Sequence, residues 1–152
     1  MRKYTRRAFT LIEILIVVVI LGILAAIVIP QFTNASEDAQ NNSVRSQLQT
    51  VRGQLELFRI QAPIRSDIPA VDIHSSGYPA SVVAGTNWSD VTDNGYLPSA
   101  PRNPVRANAT GIHTGTAAVG AASGGDAADG WFWNTNESRL YAIDSDGTVM
   151  NW

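Results

Sequence analysis

The sequence contains no cysteine and only two histidines. Without cysteine there is no disulfide bond, thiol nucleophile or thiolate metal site. His74 and His113 lie in loop-like sequence away from any nucleophile motif, and no phosphate-binding glycine loop of the expected spacing is present. We therefore expect a protein that is not an enzyme and whose fold is held together by packing, or by a bound ion.

Positive charge is scarce beyond the first eight residues. Four of the 11 Lys and Arg residues lie in residues 1–8, which leaves 7 against 13 Asp and Glu, a net charge of −6. A surface that binds nucleic acid needs clustered Lys and Arg to neutralise phosphates. The sequence therefore predicts no nucleic-acid partner.

One long apolar segment runs from Phe9 to Ile29, and its only polar side chains are those of Thr10 and Glu13. As a helix it would span roughly 30 Å, the thickness of the hydrocarbon core of a bilayer. The basic residues before it would hold that end in the cytoplasm. A secretory signal peptide is the alternative, because small residues at Ala25 and Ala26 suit a cleavage site.

Glu13 is the unusual residue of this segment. A carboxylate at membrane depth is costly unless it is paired, so it is a candidate functional residue. If the chain were cut after Ala8, the new α-amino group of Phe9 could pair with Glu13, within one chain or between neighbouring subunits. The alternative is a carboxylate near the helix end that only reaches the interface.

Residues 6–30 read RRAFTLIEILIVVVILGILAAIVIP, which resembles the leader and N-terminal helix of type IV pilins and of type II secretion pseudopilins. The resemblance implies that a prepilin peptidase removes residues 1–8 and methylates the new N-terminus at Phe9. Ala8 departs from the family pattern, which usually has glycine before the cut. The positions to which the resemblance gives a role in assembly are Glu13, Gly22 and Pro30.

An amphipathic helix is predicted over residues 30–62. Apolar residues recur there at spacings of four and three, and Pro63 would end the helix. Bending or local melting is expected near Gly22 and Pro30, which are weak helix formers. The residues of the apolar stripe are Val44, Leu48, Val51, Leu55 and Phe58.

Residues 63–152 are expected to form a small, loop-rich head. Gly95–Pro104 is similar to the segment of major pseudopilins that crosses from the helix toward the sheet. Ala107–Gly130 is rich in Ala, Gly, Thr and Ser and predicts an exposed, mobile loop. The tail predicts a small antiparallel sheet. Its predicted strands are Trp131–Trp133, Leu140–Ile143 and Thr148–Met150. The expected fold is therefore α+β and pilin-like: a long helix, half transmembrane and half amphipathic, packed on this sheet.

One candidate metal site lies near the end of the chain. Asp144, Asp146 and Thr148 offer the oxygen ligands that calcium prefers. Major pseudopilins bind calcium in a loop near the C-terminus, so the resemblance also implies calcium as a possible cofactor. The alternative is a tight hairpin turn, for which Asp-Gly is a strong signal.

The resemblance implies a structural subunit of a type II secretion pseudopilus or of a type IV pilus-like filament. Its partners would be further copies of the chain, the prepilin peptidase, an inner-membrane assembly platform with its ATPase, and minor pilins. It would cross the bacterial inner membrane once, with the N-terminus cytoplasmic and the head extracytoplasmic. It would then join a filament in the periplasm or at the cell surface. The alternative function is a minor pilin that acts as an adhesin or captures DNA.

Overall fold

The computed structural model describes residues 9–122, 125–150 and 152, with side chains at all of these except residues 30, 33 and 34. The predicted leader, residues 1–8 with the cleavage position at Ala8, lies outside the described residues. The helices are α1 (Leu11–Gln61), α2 (Ala80–Val83) and α3 (Ser89–Asp93), and the strands are β1 (Gly111–Gly115), β2 (Asp129–Asn134) and β3 (Arg139–Ala142). Short 3-10 turns cover Ala62–Ile64, Ala70–Asp72 and Pro104–Arg106.

Helix α1 is 51 residues long and stays helical through both Gly22 and Pro30. Local melting at these two positions, which the sequence led us to expect, is therefore not found. The helix ends two residues before Pro63, as proline chemistry requires. The chain divides after Asp38 into two compact units, the second of which is Ala39–Trp152.

In the first unit, the 19 residues Leu11–Ile29 are long and apolar enough to cross a membrane, with a mean hydropathy of 3.3. None of this stretch is buried within the protein.

In the second unit, the predicted stripe of α1 is the centre of the core. All five stripe residues are at most 3% exposed. They share one cluster with Trp131, Trp133 and Leu140, which project from one face of the sheet. The opposite face carries a second, smaller cluster that includes Phe132 and Tyr141. The period of the apolar residues along the helix therefore predicted the packing face correctly.

The α+β class and the long helix packed on a small sheet are confirmed, but the sheet is mixed rather than wholly antiparallel. Its order is β1-β2-β3, with β2 parallel to β1 and antiparallel to β3. The predicted strand Thr148–Met150 was wrong as a strand of the sheet. That segment pairs through isolated bridges, Ala122 with Thr148 and Ile143 with Val149.

Strand β1 lies within the tract that composition predicted to be a mobile loop. It is ordered because Ile112, 3% exposed, joins the main core and pairs in register with Trp131. Gly111 lets the strand approach closely, since a Cβ there would lie 2.6 Å from the carbonyl oxygen of Ala128. One buried apolar side chain and one glycine thus outweigh the polar composition around them.

Candidate assembly segment and candidate metal loop

Thr10 and Glu13 close the first turn of α1 by bonding to each other. The Glu13 backbone N–H donates to Thr10 Oγ1 at 3.4 Å, and the Thr10 backbone N–H donates to Glu13 Oε2 at 3.3 Å. Thr10 Oγ1 also donates to Glu13 Oε2 at 3.1 Å. This reciprocal pair is a capping box, which satisfies helix N–H groups that otherwise lack partners. The sequence does carry the signal for it, Thr-x-x-Glu in an apolar run, and the sequence analysis missed it.

The capping box uses only one of the two carboxylate oxygens of Glu13. Oε2 takes both bonds from Thr10, whereas Oε1 accepts no hydrogen bond from the part of the chain that is described. The positive end of the helix dipole also favours a negative charge at this position. Glu13 can therefore cap its own helix and still offer an oxygen to a cation from elsewhere. Phe9, 78% exposed, lies just before the capping box.

The apolar side chains that follow Glu13 cover every side of the helix. The large hydrophobic residues of Leu11–Ile29 are between 45% and 84% exposed. No charged residue interrupts the chain between Glu13 and Glu37. A Cβ at Gly22 would meet nothing within 4 Å, so the glycine is open to a close neighbour. The assembly roles of Gly22 and Pro30 stay predictions.

Residues 3–29 match the family described as the prokaryotic N-terminal methylation motif. The type II secretion system core protein G of Pseudomonas aeruginosa is 30% identical over 68% of this chain and 71% of its own length. The corresponding protein of Vibrio cholerae is 32% identical over 68% of this chain and 67% of its own. The chain belongs to the type IV pilin and type II secretion pseudopilin family.

The relatives also include a component of a type IV pilus. The type IV narrow pilus major component PilA5 of Thermus thermophilus is 33% identical over 58% of this chain and 72% of its own length. No solved structure matches the chain. Both the secretion and the pilus branches of the pilin family are therefore represented at similar identity.

Beyond residue 8, most arginines of this pilin-family chain lie against aromatic rings. Five of the 7 arginines after residue 8 stack on the rings of Tyr or Trp residues. Arg52 also donates from Nε to the Leu140 carbonyl at 2.8 Å and from Nη1 to the Trp152 carbonyl at 3.0 Å. Burial, and next the charge of Arg139, lower the pKa of Arg52 to about 10, so it remains charged at neutral pH. The five stacked arginines are Arg45, Arg52, Arg59, Arg65 and Arg139.

The candidate metal loop folds as a tight turn. The Asp144 N–H donates to the Thr148 carbonyl at 2.8 Å, and the Gly147 N–H donates to the Asp144 carbonyl at 3.0 Å. Gly147 has φ +90°, a conformation that glycine adopts without strain. Asp146 Oδ1 accepts from the backbone N–H of Thr148 at 2.9 Å and from its hydroxyl at 2.8 Å, and these bonds lower the pKa of Asp146. The turn thus uses the predicted ligands for its own bonds.

No group of three or more His, Asp or Glu side chains placed to hold a metal ion occurs among the described residues. The calcium site predicted at Asp144, Asp146 and Thr148 is untested and stays a prediction.

Asn103 is an important residue that the sequence analysis missed. It is fully buried, and its Nδ2 donates to the carbonyls of Gly130 and Ile143, both at 2.7 Å. Its Oδ1 accepts from the Val105 N–H at 3.1 Å, which caps the 3-10 turn that begins at Pro104. Asn before Pro is a recognised helix-start signal. The end of the predicted crossing segment is therefore joined by hydrogen bonds to the start of β2 and to the residue after β3.

Proposed function

We propose that the protein is a structural subunit of a type II secretion pseudopilus or a related type IV pilus-like filament. In this proposal Leu11–Ile29 holds the chain in the bacterial inner membrane, with the N-terminus cytoplasmic and the head extracytoplasmic. Prepilin peptidase removes residues 1–8 and methylates Phe9, and a platform with its ATPase assembles the subunits with minor pilins. The exposed apolar helix that begins with one carboxylate is the observation that carries the proposal.

The apolar stretch needs a covering at every stage. Each Val, Leu or Ile moved from water to an apolar setting contributes about 1.5–3 kcal/mol, so the stretch as a whole is worth on the order of tens of kcal/mol. In the membrane, lipid supplies that setting, because the hydrocarbon tails keep the apolar side chains away from water. Neighbouring helices must supply it in a filament. Assembly therefore exchanges lipid contacts for contacts between subunits.

Glu13 can set the position of one helix along its neighbour. Apolar helices alone can slide past one another, because their contacts are not specific. An α-amino cation at Phe9 of a neighbouring subunit would pair with the free oxygen of Glu13 and fix the register. Pairing also removes the cost of an isolated charge in an apolar environment.

The two roles of Glu13 can be separated by a matched pair of variants. Glu13→Gln keeps a capping-box side chain but removes the charge, whereas Thr10→Val removes the capping hydroxyl and keeps the charge. We expect Glu13→Gln to reach the membrane normally and to enter sheared filaments at least about tenfold less, a change of roughly 1.4 kcal/mol in assembly. We expect Thr10→Val to assemble nearly normally. The reverse pattern would show that Glu13 acts only as a cap.

Processing can be tested through an unusual feature of composition. Lys3 is the only lysine, so a chain that begins at Phe9 has no side-chain amine. An amine-reactive label should then mark one position, the N-terminal amine, and intact-mass analysis should show the loss of residues 1–8. A polypeptide that still begins at Met1, or that begins beyond Ala26, would contradict the proposal.

Among the residues that the structure describes, no feature specifically favours a DNA-capturing or adhesive minor pilin. Five of the arginines lie over aromatic rings, and the chain beyond the leader is acidic. A gel-shift measurement with the processed protein should show no tight, salt-sensitive binding of DNA. Deletion of the gene would distinguish the filaments: loss of secreted enzymes indicates a pseudopilus, and loss of surface pili indicates a pilus.

A further inference from the structure

Arg106 joins two turns that lie at the same end of the sheet. Its Nη1 donates to the Asp144 carbonyl at 3.0 Å, and its Nη2 donates to the Asp126 carbonyl at 2.9 Å. Asp126 begins the turn that leads into β2, and Asp144 begins the turn that follows β3. β2 and β3 are antiparallel, so the start of one and the end of the other are adjacent. One guanidinium therefore spans both connections.

The backbone that follows Arg106 has an unusual conformation. The next two residues, Ala107 and Asn108, have φ of +49° and +60°, which residues other than glycine seldom adopt. On the other side, a Cβ at Gly147 would lie 3.4 Å from Nη1, which is ordinary contact distance, so the guanidinium passes close to the Gly147 backbone. Such a conformation persists only where the surrounding contacts enforce it.

The carbonyl oxygens that Arg106 contacts have no capacity left for a metal ion. A carbonyl oxygen has two lone pairs. The Asp144 oxygen accepts from Gly147 N–H at 3.0 Å as well as from Arg106, and the Asp126 oxygen accepts from Asp129 N–H at 3.0 Å as well as from Arg106. A calcium ion about 2.4 Å from either oxygen would displace the guanidinium. Neither carbonyl oxygen therefore fits calcium while Arg106 stays in place.

Arg106 also adds positive charge to these acidic turns. The two turns contain the carboxylates of Asp126, Asp129, Asp144 and Asp146, and Arg106 acts electrostatically to lower the pKa of Asp146, after the larger effect of the Thr148 hydrogen bonds. Asp129 also faces His113, whose Nδ1 is 3.9 Å from Asp129 Oδ2. Arg106 thus brings a positive charge close to these acidic turns, while its hydrogen bonds go to backbone oxygens of the turns.

We propose that Arg106 is the resident cation of these turns and that the head is stable without a divalent metal ion. The inference concerns the head alone and holds whichever filament the chain enters. It places at Arg106 the role that the sequence suggested for calcium at Asp144, Asp146 and Thr148.

Thermal unfolding of the full processed protein in detergent tests this assignment, with near-ultraviolet circular dichroism as the signal. The wild type should give the same Tm in millimolar calcium and in excess EDTA, and calcium titration should give no saturable heat. Arg106→Gln should melt on the order of 5 °C lower. Arg106→Lys should fall between the two, because one ammonium cannot match the planar fork of a guanidinium. The matched control is Arg102→Gln, an exposed arginine four residues away, which should melt like the wild type.

Two results would overturn the proposal. One is a wild-type Tm that falls in EDTA and recovers with calcium, which would place a metal ion in the head. The other is an Arg106→Gln protein that melts like Arg102→Gln. The calcium comparison uses the wild type, so it remains decisive even if an Arg106 variant fails to fold. Calcium that raises the Tm of Arg106→Gln and leaves the wild type unchanged would support competition for the same oxygens.

Discussion

Replacing Asn103 by alanine removes a fully buried amide that three separate parts of the head share. The side chain donates to the carbonyls of Gly130 and Ile143 and accepts from the Val105 N–H. The Gly130 oxygen would keep one bond, because it also accepts from the Ile143 N–H at 3.1 Å. The Ile143 oxygen would lose its Asn103 partner in a place that water does not reach. Asn103→Ala therefore breaks bonds and strands a buried polar group.

The size of the effect follows from these contacts. Each neutral hydrogen bond contributes about 1 kcal/mol net, and a stranded buried carbonyl costs about 1–3 kcal/mol. Together these give a loss of about 3 kcal/mol in the free energy of unfolding. Small domains have only about 5–15 kcal/mol in total, so the loss is large. A change of this size should be seen as a clear shift of the unfolding midpoint.

Urea unfolding followed by tryptophan fluorescence measures this loss, since Trp131 and Trp133 lie in β2, the strand that contains Gly130. The midpoint should fall while the slope against urea stays the same. Asn136→Ala is the matched control, because its side chain is exposed in the turn between β2 and β3 and should change stability by less than about 0.5 kcal/mol. An Asn103→Ala protein as stable as Asn136→Ala would refute the reasoning.

Three further predictions follow from the head and α1. Gly130→Ala should destabilise by about 1–3 kcal/mol in urea unfolding, since a Cβ would clash with the Ala109 carbonyl and lie 2.8 Å from Asn103 Cβ. Its control, Gly53→Ala on an open helix position, should stabilise by about 0.5–1 kcal/mol. Ile112→Ala should cost about 2–5 kcal/mol by the same measurement, and a negligible cost would mean that β1 is the loose loop suggested by composition. Burial, and then the bond to Glu137, raise the pKa of Tyr141, so the unfolded chain releases this proton first and Tm should fall as pH rises above 10. Tyr141→Phe should flatten that dependence.

The features that the sequence predicted correctly are set by local patterns. The apolar span needs only composition and length, and the α1 stripe needs only a helical period. The strands around Trp131 and Leu140 are short runs of aromatic and apolar residues between turn signals. Each of these signals is contained in a window of about 20 residues or fewer. The predictions therefore did not depend on knowing which distant segments meet.

The features that were missed depend on contacts between distant parts of the chain. β1 is a strand because Ile112 meets Trp131, and no local pattern in its small-residue tract reports that meeting. Asn103 bonds to residues 27 and 40 positions away, and Arg106 to residues 20 and 38 positions away. Arg106 is the harder case, because its partners are backbone oxygens, which every sequence contains. Glu13 differs from both, since a lone acid in an apolar run is conspicuous in sequence.

One helix serves two purposes, and its two parts differ in which faces are apolar. From Val44 onward the five stripe residues lie on one face, which the head covers, and only Leu57 and Ile60 among the large apolar side chains of this part are exposed. Over Leu11–Ile29 the apolar side chains lie on all faces, and the protein covers none of them. The head is thus complete in one chain, whereas the first stretch depends on lipid or on other subunits. Variants of the two parts should therefore fail differently. A head variant such as Asn103→Ala should reduce the amount of folded protein, whereas Glu13→Gln should leave folded protein in the membrane that does not enter filaments.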